Sequence, residues 1–514
     1  MKIKQRPRVV VIGAGVAGLT AGINGEQNGL HCVLLESQPE VGGLCTGWYR
    51  RGRYIDGCIH WLTGTNPNTD LYKMWKNVKA ITSDEDIIYL DSFGAFEYEG
   101  TVVNFYRDVD KAEKEWISIS PVDKKEIKHF FKMVRDFMSV DTPALKPASN
   151  LPFKTLLKTA GQVLKVWPSY LLSMGLHTDE YAKKFKHPAL RFALKNIQPG
   201  EGNLFSMIYS YSTITYDNGG IPKGGSKAMV ERMKDYFIKL GGTLKVSSPV
   251  DKILTRDNKV YGVKLTNGEI IECDYVITTV SPEIVMNDFL DCRYIIPSFI
   301  KRLKNYHKNA TPGCALLSFD IEDLPSDLPV PLNWAIKPFK CGTREIDVLN
   351  FRSFAYEKDL YCKDNKTVVG VLIDQYDEDY YYWENLYYKH KEQYYQVKKE
   401  LAETVIDRIV QRFPSLEGKI TCLDVATPHT FKRYTNSTRG AYMSFLFSKK
   451  NTLYSASQIR GLSNLYLAGQ WVYSPGGVPF ALMSGYHSIF RICQKENIKY
   501  LLESKPKLKF NSSK

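Results

Sequence analysis

The sequence has no apolar run near the roughly 20 residues that cross a bilayer, so no transmembrane helix is expected. No secretory leader is expected, because the basic residues 1–8 run into glycine-rich sequence rather than an apolar core with a small-residue cleavage site. Its ten cysteines, at 32, 45, 58, 273, 292, 314, 341, 362, 422 and 493, form no Cys-x-x-Cys and no Cys/His spacing suited to zinc. Scattered in this way they read as reduced thiols, and the chain as cytoplasmic. No nucleophile–base triad and no carboxylate pair stands out. The net charge of +14 comes with no nucleic-acid motif, which excludes nucleic acid as the expected partner. It leaves a solvated basic surface or attraction to an anionic membrane.

What is present begins at residue 9. Residues 9–12 are four consecutive apolar residues and read as a buried parallel strand. Gly13, Gly15 and Gly18 then complete Gly-x-Gly-x-x-Gly, with Ala14, Val16 and Ala17 between them. A helix follows, packing through Val16, Ala17, Leu19, Thr20 and Ile23 and stopping at Asn28-Gly29. A second buried run, 32–35, ends at Glu36. Gly13 permits the tight turn, Gly15 lets backbone approach a pyrophosphate, and Gly18 lets helix and strand touch. The helix N-terminus presents free N–H groups to the phosphates. Glu36, eighteen residues after Gly18, is placed to accept hydrogen bonds from ribose hydroxyls. Strand, glycines, helix and acid in this order predict a dinucleotide site. Gly42 and Gly43, with Leu44 beside them, extend the backbone surface available to that ligand.

Further on, 52–61 predicts a strand through Tyr54 and Ile55, a turn at Asp56-Gly57, and His60 and Trp61 at its exit. His60 reads either as an acid–base group or as a structural hydrogen-bond partner. Residues 68–215 lose the strand–helix alternation and read as an insertion, with short strands over 91–109 and helices over 124–138, 151–174 and 178–196. The middle helix is apolar and aromatic, carries Lys154, Lys158 and Lys165, and has no acid. It fits a helix lying on a membrane surface or a core helix with a lysine face, and Pro168 is expected to break or kink it. The glycine-rich turn at 218–225 leads into a helix for which Ser226 is the expected cap. Strands over 243–246, 250–255, 260–265 and 270–279 follow, with an Asn267-Gly268 hairpin and a return to the first sheet at Tyr275. A second insertion, about 290–450, carries strands at 315–321 and 368–373 and an aromatic-dense stretch leading to an amphipathic helix stopped by Pro414. A last buried strand, 465–468, ends in Gly469. A Pro-Gly-Gly loop then opens a helix whose Ala481, Ser484 and Gly485 allow close packing, a second backbone-rich anion site.

These pieces, in this order, resemble the FAD-dependent phytoene desaturase, carotenoid isomerase and retinol saturase family, within the amine-oxidase-like flavoproteins. The resemblance covers most of the chain. It rests on the N-terminal glycines, Gly42-Gly43, Gly52 with Asp56-Gly57, and Gly220-x-Pro-x-Gly-Gly225. It continues through Thr427-Pro-x-Thr-x-x-Arg433-Tyr-Thr435 with Gly440, and Ala468-Gly469 with Pro475-Gly-Gly-Val-Pro-x-Ala-x-x-Ser-Gly485. It implies an α/β fold: a Rossmann-like FAD-binding domain (1–67, 216–290 and 455–500) with an inserted α+β substrate and membrane-associating domain (68–215 and 291–454), then a basic disordered tail (501–514). It implies that Val250 meets the adenine side through its backbone. Gly469 and Gln470 fall near the ribityl-phosphate portion, and Gly477 and Val478 near the flavin ring. Many relatives carry an acid where this chain has Gln470; an amide still hydrogen-bonds a hydroxyl. Cys45 raises the question of a covalent flavin, for which no local feature argues.

The resemblance further implies a long apolar polyene or isoprenoid substrate, held at or near a membrane surface. Hydride would pass between a substrate carbon and flavin N5 in desaturation, saturation or net isomerisation. His60, Trp61 and Tyr434 are the candidate groups facing flavin or substrate. A single dinucleotide fingerprint argues against a second nicotinamide domain and leaves oxygen, a quinone or a transiently docked nicotinamide as redox partner. Two other readings stand beside this one. One is an amine oxidase of the same fold, which needs an aromatic cage at the flavin. The other is a flavin-free lipid escort resembling the GDP-dissociation inhibitors, against which Gly13, Gly15, Gly18 and Glu36 argue.

Overall fold

The computed structural model describes residues 6–138, 140, 144–198, 202–446 and 456–502. Five parallel strands form one sheet in the order Thr243–Lys245, His31–Leu35, Arg8–Ile12, Tyr275–Thr278, Leu465–Leu467. The central strand is apolar on both faces because both are covered. Val9 and Val11 join a core built on the helices Val16–Gln27, Gly225–Lys239 and Val478–Lys495. Val10 and Ile12 join the opposite core, to which the antiparallel strands Val250–Arg256, Lys259–Leu265 and Ile270–Glu272 contribute. Close helix contacts are made by small residues, as the 478–495 sequence predicts. A Cβ on Gly485 would lie 2.6 Å from the carbonyl oxygen of Ala17.

The second large element is an eight-stranded mixed sheet. Its strands Gly313–Glu322, Leu332–Cys341, Arg344–Ser353, Lys366–Gln375 and Ile420–Ala426 come from the later part of the chain. Leu332–Cys341 pairs in parallel with Ser92–Tyr98, so the two stretches that lack the strand–helix alternation share one sheet. The helices Asp377–Lys389 and Lys391–Arg412 contribute to the core on one face. A separate aromatic core under Ser92–Tyr98 and Thr101–Tyr106 centres on Trp116, Phe130, Phe131 and Tyr211.

Several local expectations are corrected. Ser226 does not cap its helix: Gly224 occupies that position at φ +81, and the Ser226 N–H and hydroxyl both donate to Asp56, at 2.7 and 2.6 Å. A distant carboxylate thus caps that N-terminus. Residues 219–222 are a short buried strand rather than a plain turn, pairing with Leu62–Thr63 and Ile87–Ile88. The 178–196 stretch is two helices, because Pro188 starts the second and His187 Nδ1 caps it. The helix Phe153–Gly175 continues through Pro168, which lies on its exposed side. There water can satisfy the carbonyl that the missing N–H leaves free. That helix buries Val166 and Ser173 but exposes Phe153 at 73% and Leu164 at 70%. Among the described residues no helix is long and apolar enough to cross a membrane. Of the predicted disordered tail, residue 501 is held by a hydrogen bond from its N–H to Asn28 Oδ1 at 2.7 Å, and 503–514 lie outside the described residues.

Glycine-to-alanine changes should have opposite signs at two helix positions. At Gly18 a Cβ would sit 1.9 Å from the Gly13 carbonyl oxygen, backbone against backbone. Gly18→Ala is expected to lose about 3 kcal/mol by overpacking. At Gly161 nothing lies within 4 Å, so Gly161→Ala should be neutral or gain up to about 1 kcal/mol of helix propensity. Urea melts of the two variants check this.

Candidate functional site

Residues of both large sheets line one cavity of about 1460 Å³. Single-ligand pockets hold about 300–1,000 Å³, so this one has room for a dinucleotide and a second molecule. Its first end is the glycine-rich turn. The Ala14 N–H donates to Glu36 Oε2 at 2.8 Å and the Gln38 N–H to Oε1 at 2.9 Å, which fixes the carboxylate at the end of its strand. The Gly42 N–H donates to the Ala14 carbonyl at 2.9 Å, which brings the second glycine pair beside the first. The C-terminal cluster arrives through Thr279. A Cβ on Gly13 would lie 2.4 Å from Thr279 Oγ1, and one on Gly469 would lie 2.9 Å from the Thr279 carbonyl oxygen. Two turns from opposite ends of the chain therefore close on one threonine.

Gly13, Gly15, Val16, Ala17, Glu36, Gly42, Gly43, Leu44, Val250, Gly469, Gln470, Gly477 and Val478 all line the cavity. Ala14 and Gly18 do not: Ala14 is buried and anchors Glu36, and Gly18 packs on Gly13. The arrangement fits a dinucleotide on two observations. The helices Val16–Gln27 and Val478–Lys495 both begin at this cavity without any side-chain cap, leaving their first N–H groups for an anion. Gly15 has an ordinary φ of −73, and a Cβ there would come no closer than 3.5 Å to protein atoms. The protein's own packing does not require glycine at that position, so the space it keeps clear belongs to whatever fills the cavity.

The candidate groups at the other end are spread along the wall. His60 and Trp61 follow the turn that Asp56 ties to the helix Gly225–Lys239. Burial, reinforced by the nearby Arg352 guanidinium, holds the His60 imidazole well below the usual histidine range, so it is neutral near pH 7. Trp61 packs edge-on against Phe93 at 5.1 Å. Tyr434 is 51% exposed at the rim, with the Arg433 guanidinium 5.0 Å from its ring. A hydrogen bond with Cys58 and burial push the Cys45 thiol well above the usual cysteine range, which opposes thiolate formation.

Sequence reading missed the cavity face of the mixed sheet. In Arg344–Ser353, Leu349 and Phe351 enter the core while Val348, Asn350 and Arg352 line the cavity. Asn350 Nδ2 donates to Asn333 Oδ1 at 2.7 Å. Arg352 is 6% exposed, and its Nε and one Nη have no hydrogen-bond partner. On the neighbouring strand Asp374, paired in register with Cys314, lines the same cavity. Burial pushes its carboxyl up from 3.8 to about 6, against the pull of Arg344 and a hydrogen bond from Tyr442. The apolar–polar alternation is confined to 349–352, too short to mark a face by itself, because 344–348 carries polar residues on both parities and lines the cavity with both.

The chain matches the flavin containing amine oxidoreductase family over residues 16–293, just over half its length. It is 26% identical to a lycopene-forming phytoene desaturase of Pseudescherichia vulneris over 279 residues, 52% of this chain and 54% of that protein. The chain thus spans about half the length of that relative. Prolycopene isomerase 1 of an Oncidium hybrid cultivar is 23% identical over 510 residues, covering 94% of this chain and 83% of that one. An oxidoreductase from Methanosarcina mazei shares the fold, with a TM-score of 0.58 at 13% identity over 95% of this chain and 100% of that chain. The family match, together with a cavity that two uncapped helix N-termini and two glycine turns enclose, shows that this chain belongs to the flavin-containing amine oxidoreductases.

Proposed function

We propose that this protein is an FAD-dependent oxidoreductase acting on the C–C or C=C bonds of a long apolar polyene or isoprenoid lipid. The observation that carries the reading is a single cavity with a backbone anion cradle at one end and an aromatic, apolar wall at the other. Bound FAD would supply hydride acceptance or donation. Gly15 and the two helix N-termini would hold the pyrophosphate, Glu36 a ribose, and the Val250 backbone the adenine. Gln470 donates through Nε2 to the Ala441 carbonyl at 3.2 Å, which leaves Oε1 to accept from a ribityl hydroxyl. Gly477 and Val478 would flank the ring. Phe93, Phe96, Phe205, Leu372 and Phe480 give the wall that orients an apolar chain and excludes water.

The similarity to a phytoene desaturase and a prolycopene isomerase supports a polyene substrate. The acid-free helix with Phe153, Leu157, Leu164 and Leu171 exposed supports contact with an anionic membrane surface, in the manner of a peripheral protein. An amine substrate would bring an ammonium near the unpaired Arg352 guanidinium, which disfavours the amine oxidase reading.

The purified protein should be yellow, and anaerobic mixing with a polyene should change the flavin spectrum. Gly15→Ala should fold but carry much less flavin, because the added Cβ comes no closer than 3.5 Å to protein atoms and occupies space in the pyrophosphate cradle. The visible spectrum and a thermal melt together check this, and a variant that keeps its full flavin content sinks the assignment. Asp374 generates a second expectation. Its carboxyl ionises near 3.8 when unfolded and near 6 when folded. Between those values the unfolded chain loses the proton first, so stability falls as pH rises through the window. The loss, on the order of 2–3 kcal/mol, is complete above that range. Asp374→Asn should therefore raise the melting temperature at neutral pH and leave it nearly unchanged near pH 4.

A further inference from the structure

Arg352 is a buried cation without an anion. It stands on the cavity face of the strand Arg344–Ser353, opposite in parity to the core residues Leu349 and Phe351. Its Nε and one Nη find no acceptor. The carboxylate that acts on it is Asp56, whose oxygens are already taken by the Ser226 N–H, the Ser226 hydroxyl and the Cys58 N–H. His60 beside it is held neutral and supplies no counter-charge. A buried guanidinium in this state is costly, and one that lines a ligand cavity is completed when the ligand brings the missing charge.

We propose that Arg352 is a specificity-determining residue that binds a carboxylate at one end of the substrate, which is then an isoprenoid or polyene acid rather than a hydrocarbon. This rests on the reading of the cavity as the substrate site. Nε and one Nη are closed off from the cavity, so the second Nη is the donor that meets a carboxylate, in one charge-assisted hydrogen bond. The neighbouring Asn350 is neutral and already donates to Asn333, so one positive charge is offered at this point. One charge balances a carboxylate but not a diphosphate. A hydrocarbon would leave the guanidinium desolvated and unpaired, so the site discriminates against it. Trp61, Phe93 and Phe205 remain to pack the apolar chain.

The test compares geranylgeranoic acid with its methyl ester on the FAD-loaded full-length protein, with binding read by tryptophan quenching and flavin content by absorbance. The acid should bind about tenfold or more tightly than the ester. Arg352→Gln should raise the acid Kd by about tenfold or more and the ester Kd by less than about threefold, with flavin content unchanged. Arg352→Lys should retain part of the acid preference, since it keeps the charge but moves the donor. Equal affinity of the wild-type protein for acid and ester overturns the proposal, and needs no variant. So does Arg352→Gln weakening both ligands alike, or expelling flavin while the acid preference survives, which would assign the guanidinium to the cofactor. A colourless protein that still prefers the acid would sink the flavin reading and leave this one standing.

Discussion

The contact on which the molecule depends is the close approach of two glycines to Thr279. Gly13 approaches its hydroxyl and Gly469 its carbonyl, each closer than any Cβ would allow. The Thr279 N–H and hydroxyl both donate to the Ile12 carbonyl at 2.9 Å, locking the middle of the chain to the first strand. Through this junction the first turn, the strand Tyr275–Thr278 and the last strand end at one level. The two helices that follow the terminal strands then start at the same cavity. Gly485 repeats the device one layer up, letting Val478–Lys495 lie against Ala17. Close approach of main chain thus sets where an anion can be held by N–H groups from both ends.

The cavity is polar in two different ways. At the end formed by the glycine-rich turn the polarity is carried by backbone donors and one carboxylate whose oxygens are hydrogen-bonded, an arrangement that burial does not penalise. At the sheet end it is carried by side chains that burial strains. Asp374 is pushed toward its neutral acid, His60 toward neutral imidazole, and Arg352 lacks an acceptor. Such groups cost folding energy, and clusters of them in a cleft are where binding or chemistry is expected. The apolar aromatic wall beside these side chains lowers the local dielectric, so each charge acts more strongly on a bound molecule than it would in water.

The mixed sheet is what gives the cavity its second wall. Its strands come from two stretches far apart in sequence, joined by the pairing of Leu332–Cys341 with Ser92–Tyr98. The helix Phe153–Gly175 belongs to the helical layer beneath that join. Tyr170 on it meets Phe205, and Phe205 lines the cavity. The exposed apolar side chains of this helix and the cavity wall are therefore connected through one aromatic pair. That continuity gives the amphipathic helix a place in the architecture beyond its composition.

The glycine-rich turn, its helix and the carboxylate beside it were legible in the chain itself, because these parts are local. Gly13, Gly15, Gly18 and Glu36 lie within one strand–helix–strand unit, and spacing alone determines their geometry. The return of residues 275–278 to the first sheet and the close-packing role of Gly485 were legible although their partners, residues 9–12 and Ala17, are distant in sequence, because a continuous apolar run and a small-residue helix face mark them locally. The cap at Ser226, the strand at 219–222 and the wall at 344–353 were not. Ser226 and 219–222 depend on partners more than a hundred residues away, such as Asp56 for the helix Gly225–Lys239, and the wall at 344–353 faces a cavity completed by residues from both ends of the chain. Only the tertiary structure decided which face of the mixed sheet looks into the cavity, and hence that Arg352 and Asp374 stand there, because pairing register rather than local propensity turns a side chain toward core or ligand.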